Sequence, residues 1–279
     1  MIELLIVAAY ILPVICAAQR QNMYPLLAIL TVGFVNIGGL WRLFGRLARR
    51  LSPAEAIAFD HQKPVHRAAA FLLILGFFNF GFNILINESA SEGAAIAPAN
   101  ALQKLIGTGA LHLAAACLGV GWGLRRRLPE ALDRLCLRKP TPREAAISIA
   151  VGISLWLFST AAVAAWERSV PAAVFQQQTE LAQHYFQAFS GSIVTALLLA
   201  IVPAVSEEIV YRGALQPVFG AVVTSLFFTA THVQYGLTPA MLILFAVSLG
   251  FAWLRLRFHT SAAIIAHAVF NFLPYLAGA

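Results

Sequence analysis

Apolar residues run along this chain in long blocks separated by short polar segments, with neither strand alternation nor the polar stripe of a soluble amphipathic helix. Blocks of roughly 17 to 25 apolar residues have the length of membrane-crossing helices. They predict spans near 2–18, 23–44, 68–86, 101–124, 145–166, 191–216, 220–235, 240–254 and 260–278. The fold class implied is all-α, a polytopic transmembrane helical bundle of about eight or nine spans. Within one integral membrane domain, residues 1–190 would supply N-terminal helices joined by basic loops, and residues 191–279 a chemically distinct core.

Composition agrees. The 279 residues are 60% hydrophobic and 11% charged, with a mean hydropathy of +0.78, which a water-soluble domain of this length could not sustain. The net charge of +7 would suggest nucleic acid in a soluble protein. Here the arginines cluster between apolar blocks, in Gly45–Arg67 and Arg125–Glu144, so they report topology and nucleic acid is not an expected partner. Asn87–Asn100 carries acids without bases. The positive-inside rule then places the N-terminus in the cytoplasm and the C-terminus outside. Two readings of Ser52–Arg67 stay open, an interfacial helix or a solvated basic loop. Cys16, Cys117 and Cys136 are widely spaced and suggest neither disulfides nor a zinc ribbon.

The sixth block ends in "AVSEEIVYRGALQP", Ala204 to Pro217. A charge near the centre of a span opposes insertion by about 2.5–3.5 kcal/mol, so intramembrane ionisable residues are functional candidates. Glu208 and Arg212 stand four apart, on one helix face, with the acid N-terminal, and can neutralise each other. Glu207 is turned by about 100° and has no local partner. Pro203, four residues earlier, is expected to kink the helix before the acids.

Two polar pairs follow at helical spacing, Phe228 with His232 in "FFTATH" and His267 with Asn271 in "HAVFN". If the chain turns at the cytoplasmic face near Pro217–Gly220 and again near His259, a rise of about 1.5 Å per residue sets the depths. Glu207 lies roughly 15 Å below that face, His232 roughly 18 Å, His267 roughly 12 Å and Asn271 roughly 18 Å. Three helices carry polar groups to one layer. His112, Asn79 and Asn83 are expected to be hydrogen-bonding residues between helices.

These residues resemble the motifs EExxxR, FxxxH and HxxxN, in the order found in the CAAX protease and bacteriocin-processing family, also called the abortive-infection family, of intramembrane endopeptidases. The resemblance runs from about Ser192 to the C-terminus. It implies that Glu207 is the general base, that His232 helps hold the attacking water, and that His267 and Asn271 bind water or stabilise the oxyanion. Glu208 and Arg212 complete the first motif. It further implies a peptide or membrane-protein substrate, a lipid bilayer as setting, and an integral protein of a bacterial inner membrane.

The chemistry is coherent on its own terms. Peptide hydrolysis needs a base to activate water, donors aimed at the developing oxyanion and a pocket that admits water. No cofactor is the favoured expectation. A zinc version stays open, with Glu207, His232 and His267 as ligands, although the HExxH spacing is absent. Two other functions are weighed against the protease: a non-proteolytic membrane scaffold, and a proton-linked carrier, for which the paired repeat halves are missing.

Overall fold

The computed structural model describes residues 38–52, 57–60, 62–70, 72–74, 76, 98–187, 189 and 191–278. The expected span 2–18, most of 23–44, residues 77–86 of the third span, and Asn79 and Asn83 lie outside the described residues. Among those residues the structure is helical without a strand, and an isolated bridge joins Trp122 to Arg126.

Helix α1 covers Gly38–Leu51, α2 Pro98–Gly119, α3 Leu128–Arg134, α4 Pro142–Ser169 and α5 Ala172–Gln187. Helix α6, Ile193–Glu208, continues through a π-helical segment, Ile209–Leu215, into α7, Gln216–Phe219. Then come α8, Ala221–Ala230, a 3-10 turn at Val233–Tyr235, α9, Pro239–Arg257, and α10, Thr260–Leu276.

Among the described residues, four helices are long and apolar enough to cross a membrane: Asn100–Gly119, Pro142–Ser169, Ile193–Phe219 and Pro239–Arg257. With this composition the chain is an integral membrane protein. The count of eight or nine spans is not reached among the described residues. The expected span at 220–235 is corrected: α8 stops after 10 residues, about 15 Å, short of a bilayer core. Residues 172–187, read as part of a loop, form α5, which packs against the turn Val233–Tyr235.

Local chemistry sets the boundaries. Thr141 caps α4, accepting from the Glu144 amide while the Glu144 carboxylate accepts from the Thr141 amide, with Pro142 at the first helical position. Ser192 accepts from the Thr195 amide to start α6, and His259 Nδ1 accepts from the Ala262 amide to start α10. Gly220, at φ +83°, separates α7 from α8. A Cβ there would also collide with Ser52 and Ile57.

The described residues of both basic segments are mostly exposed but anchored by a few buried side chains, and residues 57–60 are not helical. The Ala58 amide donates to the Pro217 carbonyl at 3.1 Å, and Phe59 is buried with Ala48, Val218 and Phe219. In the second segment, Leu135 and Ala131 pack against Ile209, while Thr260 Oγ1 donates to the Leu135 carbonyl at 2.6 Å. Both segments brace the helix that carries the acids.

Helix α10 lies between α4, α6 and α9. Its alanines 262, 263 and 266 are fully buried against Val247, Phe251 and Leu254 of α9, small residues that let the backbones approach. On the other side, a Cβ at Gly152 of α4 would stand 2.6 Å from the Ala266 carbonyl oxygen and 3.0 Å from the Val269 Cβ. Gly152→Val should therefore lower the thermal midpoint of the detergent-solubilised protein, by the equivalent of about 1–3 kcal/mol. Gly107→Ala, where a new Cβ meets nothing within 4 Å, should leave the midpoint unchanged or raise it.

Candidate functional site

The helix bearing the acids departs from α geometry right after them. Pro203, where a kink is expected, sits inside α6, and the hydrogen-bond ladder changes at Ile209, where the π-helical segment begins. The Gln216 amide donates to the Tyr211 carbonyl, five residues back. Pro217 has no amide to offer the Gly213 carbonyl four residues before it, and Arg134 Nη1 supplies that hydrogen bond at 3.2 Å. Single π turns of this kind are frequent at functional sites.

Glu208 and Arg212 are both fully buried, 0% exposed, and their Oε2 and Nε lie 3.2 Å apart. The contact is an ion pair without the alignment of a hydrogen bond. Arg212 Nη2 donates to both the carbonyl and the Oγ of Ser248 on α9, each at 2.8 Å. The guanidinium also faces the rings of Phe228, Phe251 and Tyr211 at 4.8, 5.7 and 6.0 Å. The second carboxylate oxygen, Glu208 Oε1, lies 2.8 Å from His267 Nδ1. A carboxylate can only accept, so Nδ1 carries the proton and Nε2 holds the lone pair of the neutral ring.

His232 is held in the same tautomer by a different acceptor. It lies beyond the end of α8, and its Nδ1 donates to the Phe228 carbonyl at 2.8 Å. The Phe228 ring sits between the two imidazoles, with centroids 4.6 Å from His232 and 6.1 Å from His267. On its other face His267 stacks on Phe251 at 4.7 Å and 16°. The aromatic residue four before His232 thus orients both imidazoles, by its carbonyl and by its ring.

The structure brings together most of the residues singled out from the sequence. Glu208, Arg212 and His267 form one buried network. Glu207 is half-buried, makes no hydrogen bond or ion pair among the described residues, and is within electrostatic reach of His267, Glu208 and Arg212. His232 is within such reach of His267 and Arg212. Asn271, one turn beyond His267, is half-buried with its amide unbonded among the described residues. Among those residues, no group of three or more His, Cys, Asp or Glu is arranged to hold a metal ion.

Three participants were not anticipated. Tyr211 packs edge-on to Phe228 at 5.1 Å, and its hydroxyl lies 3.2 Å from Thr231 Oγ1. Thr231 in turn donates to the Phe228 carbonyl that His232 uses. Ser248 clamps Arg212, and no sequence pattern marks a lone serine in an apolar span. His112, expected to be a hydrogen-bonding residue, has its Nδ1 buried without a partner among the described residues, and its ring meets Tyr211 edge-on at 6.1 Å.

This arrangement of a buried acid–arginine pair, a phenylalanine-held histidine and a second histidine with its asparagine is confined to one stretch of the chain. Residues 189–273 match the family of Rce1-like type II CAAX prenyl endopeptidases. That is the CAAX protease likeness carried by the three motifs, and it covers the helices from α6 to α10. No curated protein and no solved structure matches the chain.

Removing one member of a buried pair strands the other, at about 3–5 kcal/mol. Arg212→Gln should destabilise the protein by that amount in thermal or denaturant unfolding. Glu208→Gln combined with Arg212→Gln should cost less than the sum of the two single changes, which a double-mutant cycle measures directly.

Proposed function

We propose that this protein is an intramembrane endopeptidase that hydrolyses a peptide bond with water activated by Glu207, without a metal ion. The observation that carries this reading is the unequal state of the two adjacent carboxylates. Glu208 is fully buried and committed to Arg212 and His267, whereas Glu207 is half-buried and uncommitted. A general base must reach water, and of the pair Glu207 has that freedom.

The steps follow from the bonding capacity of each group. Glu207 accepts a proton from water while the Nε2 lone pair of His232 accepts the water's other hydrogen and fixes its orientation. The water oxygen attacks the scissile carbonyl carbon. The side-chain amide of Asn271 donates to the developing oxyanion. The proton held by Glu207 passes to the amide nitrogen as the C–N bond breaks, leaving a carboxylic acid and an amine. Glu208 and Arg212 hold His267 in place. The bilayer setting and the apolar surroundings suit a peptide segment delivered from within or beside the membrane, on the side that carries the basic loops, which the positive-inside rule makes cytoplasmic.

Glu207→Gln should reduce cleavage by about 10²–10⁴-fold, the typical contribution of a general base, while leaving expression and thermal midpoint near those of the parent. The measurement is a comparison of peptide termini in membranes containing the parent or the variant. A terminus present only with the parent identifies the substrate; identical termini at equal protein levels would defeat the reading and favour a scaffold that keeps the fold.

A further inference from the structure

Where the second basic segment docks on the core, Arg134 has two other arginines, from two other elements, within electrostatic reach. Arg134, at the end of α3, is half-buried and donates to the Gly213 carbonyl of the π segment. It lies within electrostatic reach of Arg126, in the turn after α2, and of Arg255, in the last turn of α9. The Arg126 guanidinium donates to the Val120 carbonyl, and among the described residues the Arg255 Nε is buried with no partner and no acid pairs with the three arginines. The two carboxylates of α3 are engaged elsewhere, Asp133 with Arg138 at 3.5 Å and Glu130 with the Arg127 amide at 2.8 Å. Glu144 is taken by Thr141 and His259. Burial first, and then the two neighbouring charges, hold the Arg134 guanidinium below its ordinary range.

Like charges at a half-buried position repel unless an anion bridges them, and guanidinium forks match phosphate oxygens bidentately. The same elements expose apolar side chains: Trp122, Leu124 and Leu128 in and after the turn, and Trp253 and Leu256 in the stretch of α9 that carries Arg255, each 44–57% exposed. Tryptophans and leucines at a rim of arginines suit the boundary between acyl chains and headgroups. A soluble anion has no use for them. We propose that Arg126, Arg134 and Arg255 form a binding site for the phosphate of an anionic phospholipid, whose acyl chains lie against Trp122, Leu124, Trp253 and Leu256. Because Arg134 also closes the Gly213 carbonyl, lipid at this site would reinforce the π segment that holds Arg212.

The test uses the full-length protein purified in a neutral detergent and titrated with phosphatidylglycerol, phosphatidylcholine or inorganic phosphate. Native mass spectrometry reads retained lipid, and thermal unfolding reads stabilisation. Phosphatidylglycerol should be retained and raise the midpoint, while the other two probes do neither. Arg126→Gln and Arg255→Gln should each weaken phosphatidylglycerol binding about five-fold. Arg126 and Arg255 lie off the π segment, so these variants test the site even if Arg134→Gln fails to fold. Equal retention of the two lipids, or undiminished binding by both variants, would overturn the site. An equal response to inorganic phosphate would overturn the lipid as its ligand. None of these readouts depends on peptidase activity.

Discussion

The Glu208–Arg212 pair is the constraint around which the rest of this core is arranged. Two opposite charges with no exposure, one closing α6 and one in the π segment after it, are tolerable because each offsets the other and both draw polar partners from neighbouring helices. Ser248 on α9 meets the guanidinium twice, Phe228 and Phe251 cover its faces, and His267 on α10 takes the free carboxylate oxygen. Satisfying one ion pair therefore fixes the relative positions of four helices, and with them two imidazoles. A packed apolar core of the same volume could be as stable, but it would not dictate which edge of His267 faces inward.

The π segment is the second element of that arrangement. It begins at the residue after Glu208 and contains Tyr211, Arg212 and Gly213. Pro217 deprives the Gly213 carbonyl of its helical donor, and Arg134 compensates from a segment nearly eighty positions earlier in the chain. Gly213 itself allows the contact, since a Cβ there would come within 3.0 Å of Leu135. The segment before α4 is thus part of the mechanical frame of the site, although the family match begins only at residue 189.

Much of the site was legible in the sequence because charge is so unfavourable in a span that each ionisable residue stands out. The spacing of Glu208 and Arg212 gave their pairing, and the turn between Glu207 and Glu208 gave their separation. The helical registers were less legible. Hydropathy alone ran 220–235 into one span, whereas α8 ends at Ala230 and His232 sits in the turn beyond, anchored by a backbone carbonyl that no side-chain pattern reveals. Basic segments read as topology markers also carry buried anchors, and these escaped notice because Phe59, Leu135 and Ala131 are too few and too scattered to register as an apolar block. Ser248 and Tyr211 were missed for a related reason: their importance lies in what they face across the bundle.

The two neighbouring glutamates show how one helix can supply both a structural and a reactive carboxylate. A rotation of about 100° between adjacent positions sends Glu208 into the contact with α9 and α10, and Glu207 to a different, less enclosed surface. Were both acids buried in the same direction, their mutual repulsion would demand a second cation or a shared proton. With Arg212 assigned to Glu208, Glu207 keeps the capacity to gain and release a proton without disturbing the pair. In the proposed mechanism the helix thereby separates the carboxylate that keeps its charge from the one that changes it in every cycle.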